Sequence, residues 1–202
     1  MENGIWCACF ADNGLEINIL KGVVMSVCIV SFSSRKNGNC AQIGEFIGAL
    51  MPNAKLYAFS DFQISACGNC SYQCFGGGEK CPFVADNERE ILDAITNSTF
   101  TYFVVPSYCD FPCSNFFVFN ERSLFYFQNN EKLLTAYLQV PKKFVVVTNG
   151  SVKNFKTAFS YHTDGKPQIL CLSAKKYGKN SIDGNLLTSE RAMDDLRKFI
   201  VE

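Results

Sequence analysis

The densest concentration of reactive side chains in this sequence is a loop with four cysteines. Two, three and six residues separate them in turn: Cys67, Cys70, Cys74 and Cys81. Four thiolates this close in sequence can meet around one centre, and glycines at 68 and 76–78 allow the backbone to wrap it. Ferredoxin-type cluster motifs use similarly short spacings and often end in Cys-Pro, as this loop does at Pro82.

Three interpretations of this loop stay open on the residues alone. A [4Fe–4S] cluster is the favoured interpretation. Zinc is less favoured, because only one Cys-x-x-Cys pair is present and zinc ribbons join two such pairs across a longer gap. The third interpretation is a loop of free thiols that holds no metal.

A second candidate site is the polar segment 31–40, which reads Ser-Phe-Ser-Ser-Arg-Lys-Asn-Gly-Asn-Cys between an apolar run and a helical pattern. Its hydroxyls, the Arg35 guanidinium and the backbone N–H groups near a helix N-terminus suit a phosphate, and Gly38 permits close approach. An ordinary polar turn with an Asn cap is the alternative. The segment lacks Gly-x-Gly-x-x-Gly and Gly-Lys-Ser/Thr, which excludes the dinucleotide-binding and nucleoside-triphosphate loops.

The elements that must position these loops alternate along the chain. Apolar runs predict five strands, at 23–32, 55–59, 100–105, 144–147 and 168–172. Helical spacing predicts helices at 39–50, 86–96, 114–138 with a break at 129–130, and 187–201. Alternation of this kind predicts an α/β fold with a doubly wound five-stranded parallel sheet of flavodoxin-like order, 2-1-3-4-5. Ligands of such sheets bind at the carboxyl ends of the strands.

Length and composition bound the remaining possibilities. The 202 residues suit one domain at 23–202, preceded by an extension at 1–22 in which Asn13-Gly14 predicts a β-hairpin. Nineteen basic residues balance nineteen acidic ones, which argues against nucleic acid or an anionic membrane as the partner. The sequence contains no run of about 18 apolar residues, so no transmembrane helix is predicted. Eleven cysteines without a secretory signal predict reduced thiols and a cytoplasmic protein.

The motif Ser-Ser-Arg-Lys-Asn-Gly-Asn-Cys at 33–40 resembles the FMN-phosphate loop of the NAD(P)H-dependent FMN reductase and iron–sulfur flavoprotein superfamily, usually Ser-Pro-Arg-x-x-Gly-Asn-Thr. The resemblance continues through the cysteine loop, the segment 81–87 and the segment 105–108, and covers roughly residues 25–160. Ser34 replaces the usual Pro, and Cys40 replaces a phosphate-binding Thr. Because a thiol is a poorer hydrogen-bond donor than a hydroxyl, either phosphate binding would be weaker or backbone N–H groups would carry more of it.

The resemblance implies a role for each of four loops. The FMN phosphate would be surrounded by Ser33, Arg35, Asn37, Asn39 and Cys40. The isoalloxazine ring would be lined by Pro106, Ser107, Tyr108 and Cys109. The other side of the ring would be closed by Thr148, Asn149 and Gly150. The [4Fe–4S] cluster beside the flavin would be held by Cys67, Cys70, Cys74 and Cys81.

The predicted function is therefore that of a cytoplasmic FMN-dependent oxidoreductase, an electron-transfer iron–sulfur flavoprotein. It would move electrons between a donor such as NAD(P)H, FMN and the cluster. The first alternative is a cluster-free NAD(P)H-dependent FMN or quinone reductase. The second, of another class, is a non-enzymatic electron carrier or a zinc-binding interaction protein. The resemblance also implies a homo-oligomer, dimer or tetramer, and allows a redox partner protein. His162, the only histidine, lies in a turn-like stretch that predicts a surface position.

Overall fold

The fold is seen in a computed structural model that describes residues 26–68, 70–76, 81–128 and 130–202. The hairpin predicted at 1–22 lies outside the described residues. The strands are β1 Val27–Ser31, β2 Ala54–Ala58, β3 Phe100–Tyr108, β4 Phe111–Pro112, β5 Lys142–Thr148 and β6 Gln168–Ser173. The α-helices are α1 Asn39–Leu50, α2 Glu88–Thr96, α3 Ser114–Phe127, α4 Glu131–Gln139, α5 Phe155–Ser160 and α6 Glu190–Val201.

The sheet has the strand order β2-β1-β3-β5-β6, and every neighbouring pair in that order is parallel. The two-residue β4 pairs antiparallel with the end of β3. With β4 set aside, the order is the predicted 2-1-3-4-5. β4 was not predicted, because two residues are too few to show a strand periodicity.

Both faces of the sheet are covered by helices, as a doubly wound fold requires. On one face, α1 and α6 pack against a cluster that includes Ile29, Val104 and Val145. On the other face, α2, α3, α4 and α5 contribute to a cluster around Val30 and Phe103. Burial on both faces explains why the central strands read as continuous apolar runs rather than alternating ones.

The break in the third helical segment is confirmed. α3 ends at Phe127 and α4 begins at Glu131. The Asn130 side chain accepts a hydrogen bond from the Leu133 backbone N–H at 3.0 Å, which caps the start of α4.

The predicted surface position of His162 is wrong. The residue is only 3 % exposed, and its ring packs against Phe103 and Phe116. Its Nδ1 lies 2.7 Å from the Tyr137 hydroxyl oxygen. The turn residues around it indicated exposure, but exposure falls on the neighbouring Tyr161 while His162 faces the core.

None of the helices in the described part of the chain combines the length and apolar character needed to cross a lipid bilayer.

Candidate active site at the carboxyl edge of the sheet

A cavity of about 130 Å³ lies at the carboxyl ends of β1 and β3, where strand order reverses. Seven of the residues predicted to bind FMN line it: Ser33, Arg35, Asn39, Cys40, Pro106, Ser107 and Tyr108. The rest of the lining comes from Gly38, Val147, Ser181 and Ile182. Two of the three loops that the sequence placed at one edge of the sheet, 33–40 and 106–109, therefore contribute residues to one space.

The loop after β1 presents a helix N-terminus to this cavity. The Ser33 hydroxyl oxygen accepts a hydrogen bond from the Arg35 backbone N–H at 3.1 Å, which tightens the turn. α1 begins at Asn39, directly after Gly38, and both residues line the cavity. Helix N-termini carry partial positive charge and unpaired N–H groups, so this end of the cavity suits an anion.

Cys40 lies in the first turn of α1 and is buried. Burial raises the pKa of its thiol, and the nearby Cys113 adds to the effect. The side chain is therefore a neutral thiol at physiological pH and does not repel an anion bound at the helix N-terminus.

The loop after β3 is a tight hairpin whose tip docks on the loop after β5. Cys109 and Asp110 have positive φ values, 51° and 62°, as a two-residue hairpin turn requires. The Asp110 carboxylate accepts a hydrogen bond from the Ser151 backbone N–H at 3.0 Å. A Cβ at Gly150 would overlap the same carboxylate oxygen, so a larger residue there would displace the Asp110 side chain. Gly150 thus permits the docking of the hairpin.

The loop after β5 closes on itself and on a later segment. The Thr148 hydroxyl oxygen accepts from the Gly150 backbone N–H at 2.9 Å. The Asn149 side chain donates to Asn180 Oδ1 and accepts from the Ser181 backbone N–H, both at 3.1 Å. β5 itself reaches the cavity at Val147. The predicted FMN-binding residues that do not line the cavity are Asn37, Cys109, Thr148, Asn149 and Gly150.

Sequence reasoning missed the segment 180–186, which we call the strap. It lies across the loop that follows β1, and its residues Ser181 and Ile182 line the cavity. The Arg35 guanidinium donates to the Ile182 carbonyl at 2.8 Å, and the Asn39 amide donates to the Ser181 carbonyl at 2.8 Å. Its glycine and asparagines indicated a turn, but nothing local indicated partners more than 140 positions earlier in the chain.

The four cysteines of the 67–81 loop line a second pocket, against α3. The Cys67 backbone N–H donates to the Glu121 carboxylate at 2.9 Å, and the Gln128 amide donates to the Cys74 carbonyl at 2.7 Å. Burial raises the pKa of Cys67, and the negative charge of Glu121 raises it further. Among the described residues, no three Cys, His, Asp or Glu side chains form a group that could hold a metal ion.

A buried arginine lies behind this pocket. Arg122 of α3 is fully buried, and its Nη1 donates to Cys81 Sγ at 2.7 Å. Its Nη2 donates to the Phe83 carbonyl at 3.2 Å and to the Asp86 carboxylate at 3.3 Å. The guanidinium thus joins the last cysteine of the loop to the segment that leads into α2. It was not singled out from the sequence, because a lone arginine in an aromatic helix gives no signal of its partners.

This architecture is similar to that of several solved structures. No family model and no curated protein sequence matches the chain. Among solved structures, it is similar to the Trp repressor binding protein from Bacillus subtilis, with 11 % identity and a TM-score of 0.59 over 86 % of this chain and 97 % of that one. It is also similar to Smu.1420 from Streptococcus mutans UA159, with 11 % identity and a TM-score of 0.59 over 87 % and 99 %.

A third similar structure is FerB from Paracoccus denitrificans, described as a flavoenzyme NAD(P)H:(acceptor) oxidoreductase. It has 11 % identity and a TM-score of 0.52 over 88 % of this chain and 96 % of that one. The fold is flavodoxin-like. In flavodoxin-like proteins the ligand lies outside the carboxyl ends of the strands at the switch in strand order, which is where the 130 Å³ cavity lies.

Proposed function

We propose that the protein is an FMN-dependent oxidoreductase that accepts electrons from NAD(P)H. The observation that carries the proposal is the cavity at the switch in strand order, lined on one side by the phosphate loop and on the other by Pro106, Ser107 and Tyr108. The similarity of the fold to FerB, a flavoenzyme NAD(P)H:(acceptor) oxidoreductase by its description, supports the same activity.

The residues around the cavity fit the two ends of FMN. The phosphate, which carries nearly two negative charges, would lie by the N-terminus of α1 with the Arg35 guanidinium and the Ser33 hydroxyl beside it. The ring would lie against Pro106 and Tyr108, whose side chain is 61 % exposed and free to contact a planar ligand. Bound FMN supplies the hydride and electron chemistry, while the chain binds and orients it.

Replacing Arg35 with Ala is expected to weaken FMN binding about tenfold, because a charge-assisted hydrogen bond to the phosphate is lost. The affinity for riboflavin, which has no phosphate, should not change. Quenching of flavin fluorescence on titration with protein measures both constants. An equal loss for FMN and riboflavin would show that Arg35 does not bind the phosphate.

We further propose that the four-cysteine loop binds a [4Fe–4S] cluster. Two observations support it: the four thiols line one pocket, and the buried Arg122 guanidinium donates to Cys81 Sγ. Such a hydrogen bond stabilises the negative charge of a cysteine ligand and tunes the potential of a cluster. The described side chains are not grouped closely enough to hold a metal ion, so cluster binding requires the four thiols to move closer together. The competing form is the cluster-free reductase.

The cluster proposal predicts that protein purified without oxygen contains iron and acid-labile sulfide. Cys70→Ala should lose both while it still binds FMN, because Cys70 lies outside the lining of the flavin cavity. The matched control is Cys171→Ala, since Cys171 is a partly buried free cysteine on β6. Wild-type protein that contains FMN but no iron would contradict the cluster proposal and favour the cluster-free reductase. Zinc in place of iron would indicate a metal-binding interaction protein.

Two predictions concern the assembly of the protein with other chains. A homodimer or homotetramer, and a separate redox partner protein, stay predictions that follow from the family resemblance. The molar mass of the purified protein in solution tests the first. If NAD(P)H leaves the bound flavin oxidised but a reduced carrier protein reduces it, the result would favour the non-enzymatic electron carrier.

A further inference from the structure

The strap, residues 180–186, is held to the phosphate loop and α1 along most of its length. Besides its bonds from Arg35 and Asn39, its Leu186 backbone N–H donates to Asn39 Oδ1 at 2.8 Å. Its Gly184 carbonyl accepts from the Gln42 amide at 2.7 Å. Asn39 therefore both donates to the strap and accepts from it, and is itself only 3 % exposed.

The strap is also held to the loop after β5. Asn149 bonds the side chain of Asn180 and the backbone of Ser181. One short segment thus joins the loop expected beside the flavin ring to the loop expected around the flavin phosphate. The two loops come from β5 and β1, which β3 separates in the sheet.

Arg35 is the cation most directly fixed by this arrangement. A guanidinium has five N–H donors, and the strap takes one of them through the Ile182 carbonyl at 2.8 Å. Arg35 also lines the cavity, so its other donors are available to a ligand there. An exposed arginine side chain otherwise samples many rotamers, and ordering it on binding would reduce the affinity gained.

We propose that the strap is a positioning element for phosphate recognition: its carbonyl groups hold Arg35 and Asn39 in place at the phosphate end of the cavity. This inference rests on the proposed FMN-binding function and adds to it a segment that the phosphate-loop motif does not contain. The strap contributes specifically to the binding of flavins that carry a phosphate.

Gly184 gives a way to disturb the strap without replacing a residue that lines the cavity. Its φ is +69°, and a Cβ there would lie 3.0 Å from the Asn37 carbonyl oxygen of the phosphate loop. Gly178 is a matched control, since its φ is +66° and a Cβ there would meet nothing within 4 Å. Alanine at either position meets the same backbone strain, but only alanine at 184 pushes the strap away from the phosphate loop.

The experiment measures the dissociation constants of FMN and riboflavin for wild-type protein, Gly184→Ala and Gly178→Ala. The ratio of riboflavin to FMN dissociation constants should fall about tenfold in Gly184→Ala and stay at the wild-type value in Gly178→Ala. If Gly184→Ala does not fold by circular dichroism, Gln42→Ala takes its place, because it removes one strap bond without backbone strain. We expect a fall in the same ratio.

Two different failures are distinguishable. A wild-type ratio in Gly184→Ala, or in Gln42→Ala where it replaces Gly184→Ala, with FMN bound normally, would overturn the role of the strap and leave the proposed function intact. Wild-type protein that binds neither flavin would overturn the proposed function and the strap together.

Discussion

Replacing Arg122 with Met is expected to lower the free energy of unfolding by about 4 kcal/mol, the typical cost of removing one partner from a buried ion pair. Arg122 is fully buried and pairs with Asp86, whose side chain is only 10 % exposed. Methionine fills much of the same volume but donates no hydrogen bond. The Asp86 carboxylate, the Phe83 carbonyl and Cys81 Sγ would each lose a donor.

A neighbouring carboxyl makes the arginine harder to replace. Glu88 is fully buried, and burial raises its pKa well above the usual range, although the Ser123 hydroxyl donates to it at 2.6 Å. The positive charge of Arg122 lowers the pKa of Glu88 through a favourable electrostatic interaction. Replacing Arg122 would remove this interaction from the buried Glu88 side chain.

Urea unfolding of Arg122→Met measures this loss, and Arg89→Met is the matched control. Arg89 pairs with Asp93 on the exposed side of α2, where both side chains are close to half exposed. An exposed pair of this kind contributes only about 0.5 kcal/mol. Equal and small effects of the two substitutions would show that the Arg122 network does not stabilise the fold.

Acidification is expected to destabilise the protein through His162. Burial, and then the positive charge of Lys142, lower the pKa of His162 from 6.5 to about 3. The unfolded chain therefore takes up the proton at a higher pH than the folded chain. The stabilisation is complete above pH 6.5 and is lost as the pH falls toward 3, by a total on the order of 5 kcal/mol.

Two groups contribute between pH 6.5 and 5: His162, which is the only histidine, and Glu88, whose raised pKa makes the fold more stable as the pH falls. The comparison of wild-type protein with His162→Gln isolates the histidine, because glutamine does not titrate but can accept from the Tyr137 hydroxyl. Relative to His162→Gln, the free energy of unfolding of wild-type protein should fall by about 2 kcal/mol over that range. An equal pH dependence in the two proteins would contradict the assignment.

The sequence predicted the helices and strands that are determined by residues close together in the chain. α1 has the predicted bounds, 39 to 50, because apolar spacing and Pro52 define it within one segment. The five parallel strands and their order followed from alternation with helices. The convergence of segments 33–40 and 106–108 on one cavity followed from their positions after β1 and within the end of β3.

The features that sequence reasoning missed depend on distant contacts. The strap bonds residues more than 140 positions away, and no periodicity encodes such a pairing. His162 was misplaced because turn residues report on the backbone, while its ring packs under two phenylalanines from other elements. The start of the last helix was predicted at 187, but a short 3-10 turn, Leu186–Thr188, comes first and α6 begins at Glu190.

The central claim is that the cavity at the carboxyl edge binds a flavin that NAD(P)H reduces. The most direct measurement adds FMN to flavin-free protein under anaerobic conditions, removes unbound flavin, and follows the visible spectrum as NAD(P)H is added. We expect about one FMN bound per chain and loss of the oxidised-flavin absorbance on addition of NADH or NADPH. Protein that retains no FMN, or whose bound FMN stays oxidised with both nucleotides, would contradict the claim.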